Sequence, residues 1–388
     1  MRLTLLTHID DSLLGVEGGG QALLNLNDAL HSSRREMIVE YCRVLRGRFP
    51  RLDYLFCGFG GASYFPNCVH LAGKDDAAVA RARERWFLQN FGLIAQLLQP
   101  RLAFPFAAHF VLPDERNWWI SKTRLQLEAP STTLRALSPD TSVRFEDLNP
   151  GDWVEDSVVH ASPRQTPEPD AVRMAVLGHY PPPALRPPLD QAGFDELVAE
   201  VRARVESRAV PASFDAVIVL TDFSQTQTQT QTQVAIRLSA SATGTRVETI
   251  DRSAVASAGA SVDSLDPTPS SRLEPEVVME TRSDLLRSTL RSPFGKDLIS
   301  IGYGAQFRVR STRDLDAAPH DRLLQLLAPA QPRWREHLRE RPWRTARYIV
   351  GDPSMRYAAA ARLLRRRQPQ TSEPAPYELR DWVTAPEA

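Results

Sequence analysis

The run YLFCGFGGASYFPNC, residues 54–68, decides how the chain is read. It opens as an apolar strand over residues 54–56 and breaks into glycines at Gly58, Gly60 and Gly61. Glycine at such a point lets the backbone turn sharply or lie close to a neighbour. A charged helix follows over residues 75–99. Its Val79, Trp86, Phe87, Phe91, Ile94, Leu97 and Leu98 recur at three- and four-residue steps, the spacing of one buried face. Pro100 stops it, and a second strand over residues 102–106 delivers Ala107, Ala108 and His109 to its end. Strand, glycine loop, helix and strand make an α/β layer unit whose loop is available for function.

Upstream, residues 12–17 are apolar-rich, Gly18, Gly19 and Gly20 turn the chain, and residues 21–26 return, which predicts a β-hairpin. The return strand ends in Asn25-Leu26-Asn27-Asp28. A carboxylate at that end of a strand is either a metal ligand or the cap of the next turn. Residues 36–49 predict a helix with Ile38, Val39, Cys42 and Leu45 on one face. Cys42 and Cys57 read as core thiols, and Cys68, beyond the glycine loop, as the exposed one. The loop is suited to cradle an anion on backbone N–H groups, with Ser63 and Asn67 as polar partners; the alternative is a structural turn. It has neither the lysine of a P-loop nor a dinucleotide fingerprint opening onto a helix. His109 stands where catalytic side chains stand in α/β sheets, or is a hydrogen-bonded rim residue. Lys122, in a polar stretch beyond, offers a contact for an anionic group, or is simply solvated.

The 388 residues suit two domains, and the formal net charge of zero gives no global field to recruit nucleic acid. Three cysteines without a CxxC pair argue against a disulfide framework and fit a reducing cytoplasm. No apolar run is long enough to span a bilayer, and no signal peptide is evident. Asn149-Pro150-Gly151-Asp152 predicts a turn. The organisation read from these signals is a domain over residues 1–156, an irregular proline-rich connector over 157–189, an α+β domain over 190–330, and an amphipathic, arginine-rich region with a polar tail over 331–388. Within the second domain, a helix is expected over 190–207 and a strand over 214–223. The alternating Gln/Thr tract over 225–233 reads as a long hairpin loop or strand extension. A strand over 277–280 precedes a helix capped at Ser283-Asp284, and a strand over 298–309 is bent by Gly302 and Gly304.

Three runs, GGASYFPN (residues 60–67), LQPR (98–101) and PFAAHFV (105–111), occur in this order around a helix of this length. They resemble the metallo-β-lactamase-fold region of the CMP-N-acetylneuraminate hydroxylases, and Ile301-Gly302-Tyr303 is similar to a late strand of the same proteins. The resemblance covers roughly residues 1–330. It implies an α/β (α+β) chain: the second half of an αββα sandwich followed by a smaller α+β domain. Asp28 falls on the aspartate of the family's Asn-x-x-Asp segment and is implied as a ligand of zinc or iron, one or two ions. Gly60, Gly61, Ser63, Asn67 and Lys122 would face a small-molecule substrate, an anionic sugar nucleotide by analogy; the family carries tyrosine at the matching place, so His109 is the catalytic candidate on its position at the strand end alone. The family's His-x-His-x-Asp-His segment and its Rieske module have no counterpart here, and the eight histidines are scattered singly. The chain is therefore expected to be the back part of such an enzyme, truncated at its start or degenerate, with hydrolysis favoured over hydroxylation. The alternative is a non-catalytic scaffold that holds a ligand or partner. Residues 277–309 also look like a sterol-carrier-like cap.

Overall fold

The computed structural model describes residues 1–7, 12–31, 33, 35–60, 67–106, 111–112, 115–123, 130–162, 168–179, 188–206, 208, 214–223, 225–227, 230–232, 234–241, 244–251, 275–292, 295–300, 304–310 and 319–329. They form a mixed α/β protein in two units. The first comprises residues 1–62, 77–181 and 332–388, and the second comprises 63–76 and 182–331.

The first unit opens with β1 (Arg2–Thr7), β2 (Ser12–Gly18) and β3 (Gln21–Asn25), an antiparallel meander. Gly19 and Gly20 carry φ of 58° and 77°, the left-handed pair that a two-residue hairpin turn demands. From β3 onward the chain changes mode. Helix α1 (Arg35–Arg48) crosses over to β4 (Tyr54–Gly58), which pairs parallel with β3. After the short β5 (Val69–Leu71), helix α2 (Asp76–Leu98) leads to β6 (Leu102–Phe106), parallel to β4. Helices α3 (Trp118–Thr123) and α4 (Pro130–Leu137) then lead to β7 (Arg144–Phe145), parallel to β6. The sheet order is β1-β2-β3-β4-β6-β7, so the opening hairpin and the strand that precedes His109 share one sheet.

Crossovers of one hand that advance in one direction lay their helices on one face. The core shows this. Ile38, Cys42 and Leu45 of α1, Leu88, Phe91, Ile94 and Ala95 of α2, and Leu134 of α4 bury against Leu24, Leu55, Ala103 and Phe145 of the strands. Val39, expected on the buried face of α1, is instead 39% exposed. On the other face Phe56 stacks on Phe104 at 4.9 Å. At the amino-terminal edge the buried Asp53 carboxylate accepts the Ala22 N–H at 2.9 Å and meets Arg51 at 3.3 Å, fixing where β4 enters.

The stretch expected as an irregular connector contains β9 (Val158–His160), which pairs with β8 (Trp153–Glu155) just before it, and helix α5 (Pro169–His179). Proline is tolerated at a first helical position because its missing N–H would have had no intrahelical partner. The helix buries no residue fully, so the sequence carries no strong apolar period to announce it.

The second unit begins with α6 (Gln191–Glu206), whose Phe194, Leu197, Val198, Val201 and Val205 are all buried, as their spacing predicts. Then come β10 (Phe214–Leu220), a ribbon of β11 (Gln225–Gln227) and β12 (Thr230–Thr232) made by the Gln/Thr tract, and β13 (Val234–Ser241) with β14 (Gly244–Asp251). Further on lie β15 (Val277–Thr281), α7 (Ser283–Arg291), α8 (Gly295–Ser300), β16 (Ala305–Val309) and α9 (Pro319–Leu327). The sheet order is β14-β13-β10-β15-β16-β5, with β10 parallel to β15 and β5 parallel to β16. The strand expected over 298–309 is thus a helix end and a shorter strand. Ile299 is buried and Leu298 is 46% exposed, a split that either periodicity produces. No helix among the described residues is long and apolar enough to cross a membrane.

Candidate functional site

Strands β3, β4, β6 and β7 run parallel, so their carboxyl ends lie on one edge, where open α/β sheets bind ligands. The chain leaves β3 through Leu26, Asn27 and Asp28, leaves β4 through Phe59 and Gly60, and leaves β6 after Phe106.

The first two exits are tied together. The Leu26 N–H donates to Phe56 O at 2.8 Å and the Gly58 N–H to Asn27 O at 2.8 Å, extending the ladder past the end of β3. The Asn27 N–H donates to Asn25 Oδ1 at 2.9 Å. A Cβ at position 58 would sit 2.7 Å from Asn27 O and 3.3 Å from Asp28 Oδ1. Glycine at 58 is therefore what lets the Asp28 loop lie on the end of β4. Asp28 itself is exposed, whereas Gly58 and Gly60 are buried.

Behind the loop, His31 is buried and its Nδ1–H donates to the Asp28 carbonyl oxygen at 2.8 Å. The imidazole lies 4.8 Å from the Phe87 ring. Asn90 of α2 donates through Nδ2 to His31 O at 2.8 Å and Ser33 O at 3.3 Å. Cys57 lies beneath. Burial pushes its thiol well above the usual range, and the neighbouring Cys42 and Asp28 charges add to that. Burial pushes Cys42 up to about 12. Raised in this way, neither thiol is primed as a nucleophile. After β7, both Asp147 carboxylate oxygens are occupied, taking the Ser131 N–H at 3.1 Å and the Ser131 hydroxyl at 2.6 Å.

Of the residues singled out from sequence, Asp28 and Gly60 stand on this edge. Gly61, Ser63 and His109 lie outside the described residues. Lys122 falls in α3. Asn67, 3% exposed, belongs to the second unit, as does Cys68, which is buried rather than exposed. The reason is local: Cys68 leads straight into β5, whose Val69 and Leu71 are buried. Sequence reading passed over His31 and Asn90. Their signals are a histidine three residues after the singled-out aspartate, and an asparagine inside the apolar face of a helix. In the second unit His70 contacts Asp76 through Nδ1 and Gln306 Oε1 through Nε2 at 3.3 Å.

Among the described residues no group of three or more His, Cys, Asp or Glu side chains is placed to hold a metal ion. Asp28 fits the role of a single hard oxygen donor, on a loop that a Cβ at position 58 would displace. Comparison with protein-family models, with curated proteins and with solved structures finds no match to this chain.

Proposed function

We propose that the first unit is the ligand-bearing second half of a metallo-β-lactamase-like αββα sandwich, and that the protein is a metal-dependent hydrolase of the hydroxylase-like branch. One observation carries the reading: the Asp28 loop, the glycine exit of β4 and the exit of β6 toward His109 share the carboxyl edge of one parallel sheet. Zinc or iron held there, as one or two ions, would polarise a substrate oxygen or activate water. Asp28 supplies an anionic oxygen, its loop fixed through Gly58 and His31. His109 moves the proton. The glycine exit, with Gly60 and Gly61, holds a small-molecule substrate through backbone groups, and Lys122 pairs with its charge; an anionic sugar nucleotide is the substrate class the resemblance supports. Ser63 and Asn67 are left out of this site because both belong to the other unit. The three cysteines form no disulfide, which suits a reducing cytoplasm.

Titrating zinc or iron(II) into the purified chain tests the reading. The wild type binds, and Asp28→Ala weakens binding at least about tenfold. No binding by the wild type, or equal binding by the variant, overturns it. A second reading, a ligand-holding scaffold without chemistry, is supported by the second unit. Within it, the stretch expected to look like a sterol-carrier-like cap, residues 277–309, comprises β15, α7, α8 and β16. Under that reading metal binding fails, and an apolar fluorescent probe binds wild type and Asp28→Ala alike.

A further inference from the structure

The loop that carries Asp28 is held by more than a turn cap requires. Asn27 and Leu30 both have left-handed backbones, with φ of 46° and 73°. Asparagine visits that region readily, but leucine is disfavoured there because its Cβ crowds the following carbonyl. Such a path persists only where its surroundings over-determine it. Here they do so from two sides. From the sheet, the Gly58 N–H holds Asn27 O. From the helix layer, His31 Nδ1 holds Asp28 O at 2.8 Å, and Asn90 holds the carbonyls of His31 and Ser33.

The chemistry of the His31 contact is one-sided. A carbonyl oxygen only accepts, so the proton sits on Nδ1. The imidazole is 4% exposed and lies against Phe87, so its orientation is set by packing as well as by the hydrogen bond. Asp28 O and the Asp28 carboxylate belong to the same residue. Fixing the first fixes the peptide planes from which the second projects, while the carboxylate stays at the exposed edge.

We propose that His31, braced by Asn90, is a positioning residue that presents the Asp28 carboxylate at the carboxyl edge of the sheet. This rests on the reading that Asp28 acts there. The pair clamps the chain at Asp28 O before the left-handed Leu30 and at His31 O after it, so that the loop cannot relax and swing the carboxylate off Gly58.

The test uses the full chain with two readouts, hydrogen exchange of residues 26–33 and zinc titration. His31→Phe keeps an aromatic ring beside Phe87 and removes the donor. His31→Asn keeps an N–H donor near the Nδ1 position. The phenylalanine variant is expected to exchange at residues 26–33 about tenfold faster, with Leu102–Phe106 unchanged, and to bind zinc about tenfold more weakly. The asparagine variant restores both. Unchanged exchange in His31→Phe overturns the proposal, and so does a loss that His31→Asn fails to rescue. If His31→Phe does not fold, Asn90→Ala removes the brace from the other side and takes its place: faster exchange at residues 26–33 supports the proposal, and unchanged exchange overturns it. If exchange changes as expected while neither wild type nor variants bind zinc, the metal reading fails and the positioning role stands.

Discussion

His70 sits between two oxygens. Asp76 takes its Nδ1 and Gln306 Oε1 lies 3.3 Å from Nε2, an arrangement that only the imidazolium satisfies at both ends. The hydrogen bond to Asp76 raises its pKa, partial burial opposes this, and the Asp76 charge raises it further; Arg308, itself paired with Glu280, lowers it slightly. A folded-state pKa above the unfolded value of about 6.5 means the stabilisation is complete below that pH and is lost as pH rises through the folded value. His70 should therefore titrate above about 6.5 by NMR, and Asp76→Asn should bring its pKa down. At the other candidate position, Gly58→Ala forces a Cβ against Asn27 O and should cost about 1–3 kcal/mol in urea unfolding. The close approach at Gly58 was legible because a glycine at a strand end is informative alone. His31 was not: its value lies in an Nδ1–H aimed at a carbonyl, and nothing in a lone histidine tells where its ring points.

Helices α4 and α7 each carry in the first turn a serine served by a remote aspartate. Ser131 donates its N–H and hydroxyl to Asp147, and Ser283 donates both to Asp222 at 2.9 and 2.7 Å. The extended residue before α7, Arg282, makes no side-chain cap of its own. Asp147→Ala and Asp222→Ala should each lower stability by about 1 kcal/mol, and the double variant by about the sum, as the two share no partners. Sequence reading placed the start of α7 on Ser283-Asp284, and the helix does start there, but the capping carboxylate lies 61 residues upstream. Helices with a sustained apolar stripe, α1, α2 and α6, were legible because burial writes its period into the chain. Helices α5 and α8 were not, the first for want of a fully buried residue and the second because six residues are too few for a period to emerge.

At the scale of the molecule, neither unit is one continuous stretch. Residues 63–76 leave the first and give the second its edge strand, where Val69, 2% exposed, pairs with Phe307. Val69→Asp places a charge in that buried position and should destabilise the second unit by on the order of 3 kcal/mol, seen as faster hydrogen exchange in Ala305–Val309 with β4 and β6 unaffected. The division into layers was legible from the order of strands and helices. The donated strand was not, because three residues beside a glycine loop carry no mark of a partner so far away.

That distance matters while the protein is being made. His70 and its Gln306 neighbour are 236 residues apart. A ribosome adding roughly 5–20 residues per second would deliver β16 about 10–50 s after β5 has emerged. Throughout that interval the nascent chain carries an apolar segment with nothing to pair with, so the yield of folded protein should respond to translation speed and to chaperone supply more than its final stability would suggest.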